Sequence, residues 1–77
     1  MAQARIGVYG LGTMGRALAL NIAGHGIDVA VANREPDWIA PFLAEAGALA
    51  GRIHPFEHMK EFVAALEVPR VILFMIP

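Results

Sequence analysis

The chain has 77 residues, 57% of them hydrophobic and 17% charged, with a formal net charge of −1, a balance that excludes a disordered tail and predicts one small domain. Its arginines are spread singly, so no nucleic-acid-binding patch is expected, and the absence of cysteine excludes disulfides and favours a reducing, cytoplasmic setting. The longest apolar run, Val71 to Ile76, is far shorter than the about 20 residues of a membrane helix, so we expect neither membrane insertion nor export.

The first third of the chain predicts a strand, a helix and a second strand. Arg5 to Tyr9 is typical of a short strand buried on both faces. A helix is predicted from Met14 to Ala23, because apolar residues recur there at helical spacing, with the stripe at Leu11, Met14, Leu18 and Ile22. Ile27 to Ala32 resumes the strand pattern, and this second strand is expected to end near Asn33.

A second helix is predicted from Trp38 to about Ala46, with Asp37 as its N-cap. Pro41 then falls within the first four helical residues, whose amides have no intrahelical partner, so the proline does not break the helix. Trp38 and Phe42 lie four residues apart. We expect both rings to fill the core against the sheet rather than to form an aromatic binding box.

The remaining segment predicts an edge strand, a third helix and a buried strand. Gly47 is expected to end the second helix, and Ala48 to Ile53 predicts a weak edge strand. The third helix is predicted to have Pro55 at its first position and an apolar stripe at Phe56, Met59, Phe62, Val63 and Leu66. Val71 to Ile76 is uninterrupted hydrophobe, which suits a strand covered on both faces of a parallel sheet.

These elements alternate as βαβαβαβ, a pattern that predicts an α/β fold with a parallel sheet and right-handed crossovers. The expected architecture is a Rossmann-type half-domain with the strand order 3-2-1-4. Neither a repeat nor a linker interrupts residues 1–77, so we expect one domain.

A glycine-rich turn, Gly10-Leu-Gly-Thr-Met-Gly15, follows the first strand and opens the first helix. In this context the G-x-G-x-x-G pattern predicts dinucleotide binding. Gly10 would make the tight turn, Gly12 would let the backbone approach a pyrophosphate, and Gly15 would let the helix pack closely on the strand. The free amides at the helix start favour an anion, and the Thr13 hydroxyl could add a contact. The alternative is a turn that glycines shape without any ligand.

The second cofactor contact is expected where the second strand ends, about 20 residues after the glycines, and Asn33, Arg34 and Glu35 stand there. An uncharged Asn33 followed by Arg34 fits the 2′-phosphate of NADP. NADP is therefore the predicted cofactor. Glu35 would repel that phosphate, so NAD stays the alternative. An interpretation of Arg34 as a solvated surface arginine also stays open. Asp28 has similar spacing, but it starts the strand and is interpreted as a turn residue.

A long stretch around this turn carries a family likeness: Gly10-Leu-Gly-Thr-Met-Gly-Arg-Ala-Leu-Ala-Leu-Asn-Ile-Ala23, His25-Gly26, Val29-Ala-Val-Ala-Asn-Arg34, and then Phe62-Val63, Leu66 and Pro69-Arg70. The sequence thereby resembles the N-terminal part of the 6-phosphogluconate dehydrogenase family, over most of its length. It departs at Glu35, where members often have threonine, and at Pro77, where lysine is common. Gly51 to His58 does not align cleanly, and no role is transferred to it.

The resemblance implies a parent enzyme that oxidises 6-phosphogluconate at C3 with NADP and decarboxylates the 3-keto intermediate to ribulose 5-phosphate, as a homodimer in the pentose phosphate pathway. Residues 1–77 would be the N-terminal part of its NAD(P)-binding domain, without a substrate or catalytic domain, so no catalytic residue is assigned. Met75 and Ile76 would line the path toward the nicotinamide. The full candidate cofactor-binding set is Gly10, Leu11, Gly12, Thr13, Met14, Gly15, Asn33, Arg34, Glu35, Met75 and Ile76.

The three histidines are the near-neutral titrating groups of the chain, and none is assigned to catalysis or to a metal. His25 follows a helix end, where it is expected to cap. His54 and His58 are four residues apart, but without a nearby third ligand we interpret them as a chance pair. Two alternatives to the phosphogluconate enzyme stay open: a 3-hydroxyisobutyrate dehydrogenase-like enzyme, which shares the glycine turn and the Asn-Arg pair, and a non-catalytic nucleotide-binding module.

Overall fold

Strands and helices alternate along the chain in the computed structural model, which describes residues 3–75. The strands are β1 (Ile6–Tyr9), β2 (Val29–Ala32), β3 (Ile53–Phe56) and β4 (Ile72–Phe74). The α-helices are α1 (Thr13–Gly24), α2 (Ile39–Ala46) and α3 (Met59–Ala64). Two 3₁₀ turns, Pro36–Trp38 and Gly47–Arg52, flank α2. The strands form one parallel sheet with the order β3-β2-β1-β4, so the predicted fold class and strand order are confirmed.

The register of the sheet brings three strand ends to one edge. Tyr9, the last residue of β1, lies opposite Ala32 of β2 on one side and Phe74 of β4 on the other. The chain leaves all three strands at this level, because the strands run parallel. The loops after β1, β2 and β4 therefore meet at the carboxyl edge of the sheet.

Side chains of β2 alternate between two cores, one on each face of the sheet. Val29 and Val31 face the core formed with α1 and α2, which also contains Val8, Leu11, Ala19, Ala23, Ile39, Phe42, Ala46 and Ile53. Ala30 and Ala32 face the core formed with α3, together with Ala4, Phe62 and Leu66. Since every residue of β2 is buried, this strand is covered on both faces as parallel strands usually are.

Helix α1 packs on the sheet through small residues rather than through the predicted stripe of large ones. Its buried residues are Gly15, Ala19 and Ala23, which recur every four positions. Met14 is 71% exposed, so its place in the predicted stripe was wrong. Leu18 is partly buried at the edge of the contact. Small residues occupy this face because they let the helix backbone approach the strands closely, which a methionine in the interface would prevent.

Helix α2 begins one residue later than predicted, and its N-cap is Trp38 rather than Asp37. The Trp38 amide donates to the Glu35 carbonyl at 3.2 Å and closes the preceding 3₁₀ turn, which places Asp37 inside that turn. Pro41 lies in the first turn of α2, as expected. Gly47 ends the helix with a φ of 58°, which confirms its predicted role.

The segment predicted as an edge strand, Ala48 to Ile53, is instead a 3₁₀ turn from Gly47 to Arg52. Strand β3 starts only at Ile53, the first buried β-branched residue after Gly47. It continues through Pro55, so α3 begins at Met59 and the predicted start of that helix at Pro55 was wrong. Proline is tolerated here because β3 lies at an edge of the sheet, where half of the backbone groups need no strand partner.

Strand β4 lies at the other edge of the described sheet and is not covered on both faces. Leu73 is 37% exposed and Phe74 is 57% exposed, which contradicts the expectation for the Val71 to Ile76 run. Helix α1 lies over β1 and β2 and helix α3 over β2 and β3, whereas β4 lies beside this packing and contacts the α3 core through Ile72. Ile76 lies outside the described residues. Within residues 3–75, no helix combines the length and the apolar character that a bilayer crossing requires.

Candidate functional site

A groove of about 560 Å³ opens at the carboxyl edge of the sheet. Its lining comes from the loops after β1, β2 and β4: Tyr9, Gly10, Gly12, Asn33, Arg34, Glu35, Trp38 and Met75. In open parallel sheets, ligands bind at this edge where the strand order reverses, and β1, between β2 and β4, is that point here. The volume lies within the usual range for small-molecule sites. The groove is therefore the candidate binding site.

The glycine turn has the backbone geometry that its three glycines predict. Gly10 has a φ of 111°, a conformation that favours glycine, and its amide donates to the Ala32 carbonyl at 2.8 Å. A Cβ on Gly15 would overlap the Gly10 carbonyl oxygen, so the close packing of helix on turn requires glycine. Apart from its two chain neighbours, a Cβ on Gly12 would meet no atom of residues 3–75 within 4 Å. The turn thus keeps an open space in front of the start of α1.

The start of α1 is suited to an anion. The N-cap Gly12 has no side chain to cap the helix, and the first turn contains no acidic residue. The first amides of the helix therefore remain available, and the helix dipole adds partial positive charge at the same place. Thr13 and Met14 are both exposed in this first turn. These features match those of pyrophosphate-binding helix starts.

Asn33 connects the end of β2 to the glycine turn. Its side chain is buried, the Oδ1 atom accepts from the Leu11 amide at 2.7 Å, and the Nδ2 atom donates to the Glu35 carbonyl at 3.0 Å. The carboxamide retains capacity for one further bond at each end, so a contact to the ribose stays a prediction. The Leu11 side chain is fully buried in the core, and its amide is the part that serves the turn.

Asn33→Ala is expected to lower the free energy of unfolding by about 1 to 3 kcal/mol, because the buried Leu11 amide would lose its acceptor. Chemical denaturation followed by circular dichroism measures this change. The same substitution at the exposed Asn21 on α1 is the matched control and should change stability little. Equal denaturation midpoints for Asn33→Ala and the unmodified chain would show that the Asn33 side chain does not stabilise the glycine turn.

Arg34 and Glu35 are exposed side chains on the wall of the groove. Within residues 3–75, neither side chain makes a hydrogen bond or an ion pair. The Arg34 guanidinium is thus available to an incoming anion, and the Glu35 carboxylate adjoins it in sequence. The two residues place opposite charges at the end of β2, where a cofactor ribose is expected.

Two aromatic residues that the sequence did not assign to the site, Tyr9 and Trp38, line the groove. Tyr9 is the last residue of β1, and its ring packs at a tilt against Phe74, with 5.7 Å between the centroids. Trp38 is 48% exposed, so the expectation that it fills the core was wrong, whereas Phe42 is fully buried as predicted. Trp38 is the last residue of the 3₁₀ turn that precedes α2, so it does not lie on the core face of the helix.

Met75, the residue after β4, lines the groove, and its place on the path toward the nicotinamide stays a prediction. The Met75 amide donates to the Tyr9 carbonyl at 2.8 Å and so ties the end of β4 to β1. Ile76, the other residue predicted here, lies outside the described residues.

The opposite edge of the sheet holds Asp28, which the sequence interpretation kept out of the cofactor site. The Asp28 carboxylate contacts Nε2 of His54 at 3.3 Å and a guanidinium nitrogen of Arg52 at 3.7 Å. Asp28 therefore lies away from the glycine turn, as expected. His25 contacts the Asn21 carbonyl through Nδ1 at 2.8 Å, which confirms its predicted role at the end of α1.

Comparisons with known proteins agree with this geometry. Residues 5–77 match the family model described as the NAD binding domain of 6-phosphogluconate dehydrogenase. The chain is 43% identical over 76 residues to the decarboxylating 6-phosphogluconate dehydrogenase of Chlamydia muridarum and 42% identical to that of Salmonella typhimurium. Each match covers 99% of this chain but 16% of the relative.

A solved structure is also similar: Plasmodium falciparum 6-phosphogluconate dehydrogenase, studied in its apo form, with its cofactor NADP⁺ and with its substrate 6-phosphogluconate. The TM-score is 0.83 at 28% sequence identity, and the match covers 94% of this chain and 15% of that one. The chain thus spans about one sixth of the length of the proteins it matches.

Proposed function

The chain belongs to the family of NAD-binding domains of 6-phosphogluconate dehydrogenase, and from that premise we propose that its groove binds NADP. The observation that carries the proposal is the pairing of an open helix start at Gly12, which has no side-chain cap, with the exposed Arg34 guanidinium on the same groove, which has no hydrogen-bond or ion-pair partner within residues 3–75. Two anionic groups of one ligand fit these positions: a pyrophosphate at the helix start and a 2′-phosphate at the end of β2.

The residues present fit each part of that cofactor. The first amides of α1 would hold the pyrophosphate, and Arg34 would pair with the 2′-phosphate. Asn33 would keep the two contacts at a fixed separation, since it is bonded to both the glycine turn and the residue after Arg34. Met75, with Ile76 after it, would line the side toward the nicotinamide. When bound, the cofactor supplies a hydride acceptor.

The parent enzyme of this proposal is an oxidoreductase that oxidises and decarboxylates 6-phosphogluconate to ribulose 5-phosphate in the cytoplasm, as a homodimer. Support comes from the relatives' names and from the share of their length that the chain spans. Residues 1–77 would form the N-terminal part of the cofactor-binding domain, and the acid and base of the reaction would lie elsewhere in the parent. The formal net charge of −1 argues against a nucleic-acid partner.

Calorimetric titration of NADP⁺ and of NAD⁺ into the 77-residue chain tests the cofactor directly. We expect NADP⁺ to bind at least about tenfold more tightly, because a charge-assisted contact to the 2′-phosphate is worth that much. Circular dichroism on the same samples reports whether the chain is folded. A folded chain that binds neither dinucleotide, or that prefers NAD⁺, would contradict the proposal.

Glu35→Thr is expected to raise the NADP⁺ affinity about two- to fivefold and to leave the NAD⁺ affinity almost unchanged. The substitution removes an exposed carboxylate beside the proposed 2′-phosphate site, where like charges repel by a modest, salt-screened amount. Glu57→Thr removes an exposed carboxylate that does not line the groove and serves as the control. If Glu35→Thr and Glu57→Thr give the same NADP⁺ affinity, Glu35 does not adjoin the phosphate.

A further inference from the structure

Trp38 has an exposure that packing does not explain. Nearly half of this large side chain is open to solvent, whereas Phe42 and Phe62 are fully buried. Within residues 3–75, the aromatic pairs join Tyr9 to Phe62 and to Phe74, and Trp38 takes part in neither. Exposed tryptophan in a concave site is a common feature of ligand and partner recognition.

The exposed ring borders two adjoining grooves. One is the candidate site at the carboxyl edge, and the other, of about 310 Å³, is lined by Leu11, Arg16, Asp37, Trp38, Pro41 and Phe42. Trp38 is the one residue common to both linings. The ring is therefore a wall of the cofactor groove, on the side away from β4.

The backbone holds Trp38 in a fixed relation to the residues that would bind the ribose. The Glu35 carbonyl accepts from the Trp38 amide at 3.2 Å and from Asn33 Nδ2 at 3.0 Å. Asn33 is in turn bonded to the Leu11 amide at 2.7 Å. One chain of hydrogen bonds thus links the glycine turn, the end of β2 and the turn that carries the tryptophan.

The direction of a bound dinucleotide follows from the sheet. Its pyrophosphate lies at the start of α1 and its adenosine ribose at the end of β2, so the nicotinamide points toward the opposite side, past β1 and β4. The adenine base then continues beyond the ribose, over the residues that follow β2. Trp38 lies there, four residues after Arg34.

We infer that Trp38 is a binding residue for the adenine base, which its indole contacts face to face as a wall of the cofactor groove. The inference deepens the proposed function and rests on it. Every base offers a π-face, so the ring adds affinity for the purine while Arg34 reads the 2′-phosphate beside it. Stacking on a half-exposed ring should be worth about five- to tenfold in affinity, near the low end for such contacts.

The chain provides its own reporter, because Trp38 is its only tryptophan. Adenosine 2′,5′-bisphosphate, which carries the base and the 2′-phosphate, is expected to quench the emission of Trp38. Nicotinamide mononucleotide at the same concentration is expected to leave it unchanged. Calorimetry measures binding of the same ligands independently of the fluorophore.

Two variants separate the aromatic face from mere bulk. Trp38→Leu keeps an apolar side chain without a π-face and should weaken NADP⁺ and adenosine 2′,5′-bisphosphate about five- to tenfold. Trp38→Phe keeps an aromatic ring and should stay within about twofold of the unmodified chain. Circular dichroism checks the fold of both, and the quenching experiment needs no substitution at all.

The outcomes distinguish this inference from the proposed function. Binding of adenosine 2′,5′-bisphosphate by calorimetry without any change in Trp38 emission would overturn the role of Trp38 and leave the NADP site intact. A folded Trp38→Leu variant with unmodified affinity would do the same. A folded, unmodified chain that binds no NADP⁺ would overturn both.

Discussion

Gly12→Ala is expected to lower NADP⁺ affinity by at least about a hundredfold while the chain stays folded. Beyond its chain neighbours, the new methyl group meets no atom of the described residues within 4 Å, and the backbone at Gly12, with φ −72° and ψ −172°, is open to any residue. The cost to folding is therefore about 1 kcal/mol or less, the loss of a favourable N-cap residue. The methyl group would occupy the space in which the backbone approaches the pyrophosphate. Calorimetry and a thermal melt on the same sample measure both quantities.

Two other glycines serve as controls for that experiment. Gly15→Ala should unfold the chain, since its Cβ would overlap the Gly10 carbonyl and a loss of several kcal/mol exhausts the stability of a small domain. Gly24→Ala, at the end of α1, also meets no atom within 4 Å among the described residues outside its own helix turn, but lies away from the groove. It should leave both stability and binding nearly unchanged. A folded Gly12→Ala variant with unmodified NADP⁺ affinity would show that no ligand approaches the turn.

Arg34→Ala is expected to lower NADP⁺ affinity about ten- to hundredfold and to change NAD⁺ affinity less than about twofold. The loss is that of a charge-assisted hydrogen bond to the 2′-phosphate, a group that NAD⁺ lacks. Competitive titrations of the two dinucleotides against one reporter ligand measure both affinities. The effect should shrink as salt is added.

The control for Arg34 is Arg52→Ala, which removes an exposed arginine beside Asp28 at the opposite edge of the sheet. It keeps the change in net charge the same and should leave the NADP⁺ affinity almost unchanged. Equal losses of NADP⁺ and NAD⁺ affinity in Arg34→Ala would mean that Arg34 does not recognise the 2′-phosphate.

The features that the sequence predicts well are those that depend on local pattern. The glycine turn is recognisable because Gly10 needs a backbone conformation that favours glycine and Gly15 needs the absence of a Cβ. The strand order follows from the alternation of strands and helices along the chain. The position of Asn33 near the glycine turn is predictable because the carboxyl ends of parallel strands meet at one edge of the sheet.

The features that it does not predict depend on contacts between distant segments. The buried face of α1 is set by how closely the helix approaches the strands, so Ala19 replaces Met14 in the core although methionine is the more hydrophobic residue. The start of β3 depends on pairing with β2, which runs from Val29 opposite Ile53. Local propensity carries no information about a strand partner that lies 24 residues away along the chain.

Asn33 and Trp38 show the same limit within the site. The sequence places Asn33 near the ribose, but its bond to Leu11, 22 residues away, appears only once β1 and β2 are paired. Trp38 has the spacing of a core residue relative to Phe42, and the preceding 3₁₀ turn gives it another environment. Both residues also donate a hydrogen bond to the Glu35 carbonyl, a contact that the sequence pattern does not indicate.

Amide chemical-shift mapping of the ¹⁵N-labelled chain during an NADP⁺ titration reports which residues contact the cofactor. We expect the largest changes at the amides of Gly12, Thr13 and Arg34, with His54 and Asp28 at the opposite edge unchanged. Changes centred on the Asp28 edge, or no change in a folded chain at millimolar NADP⁺, would mean that the groove at the glycine turn does not bind the cofactor.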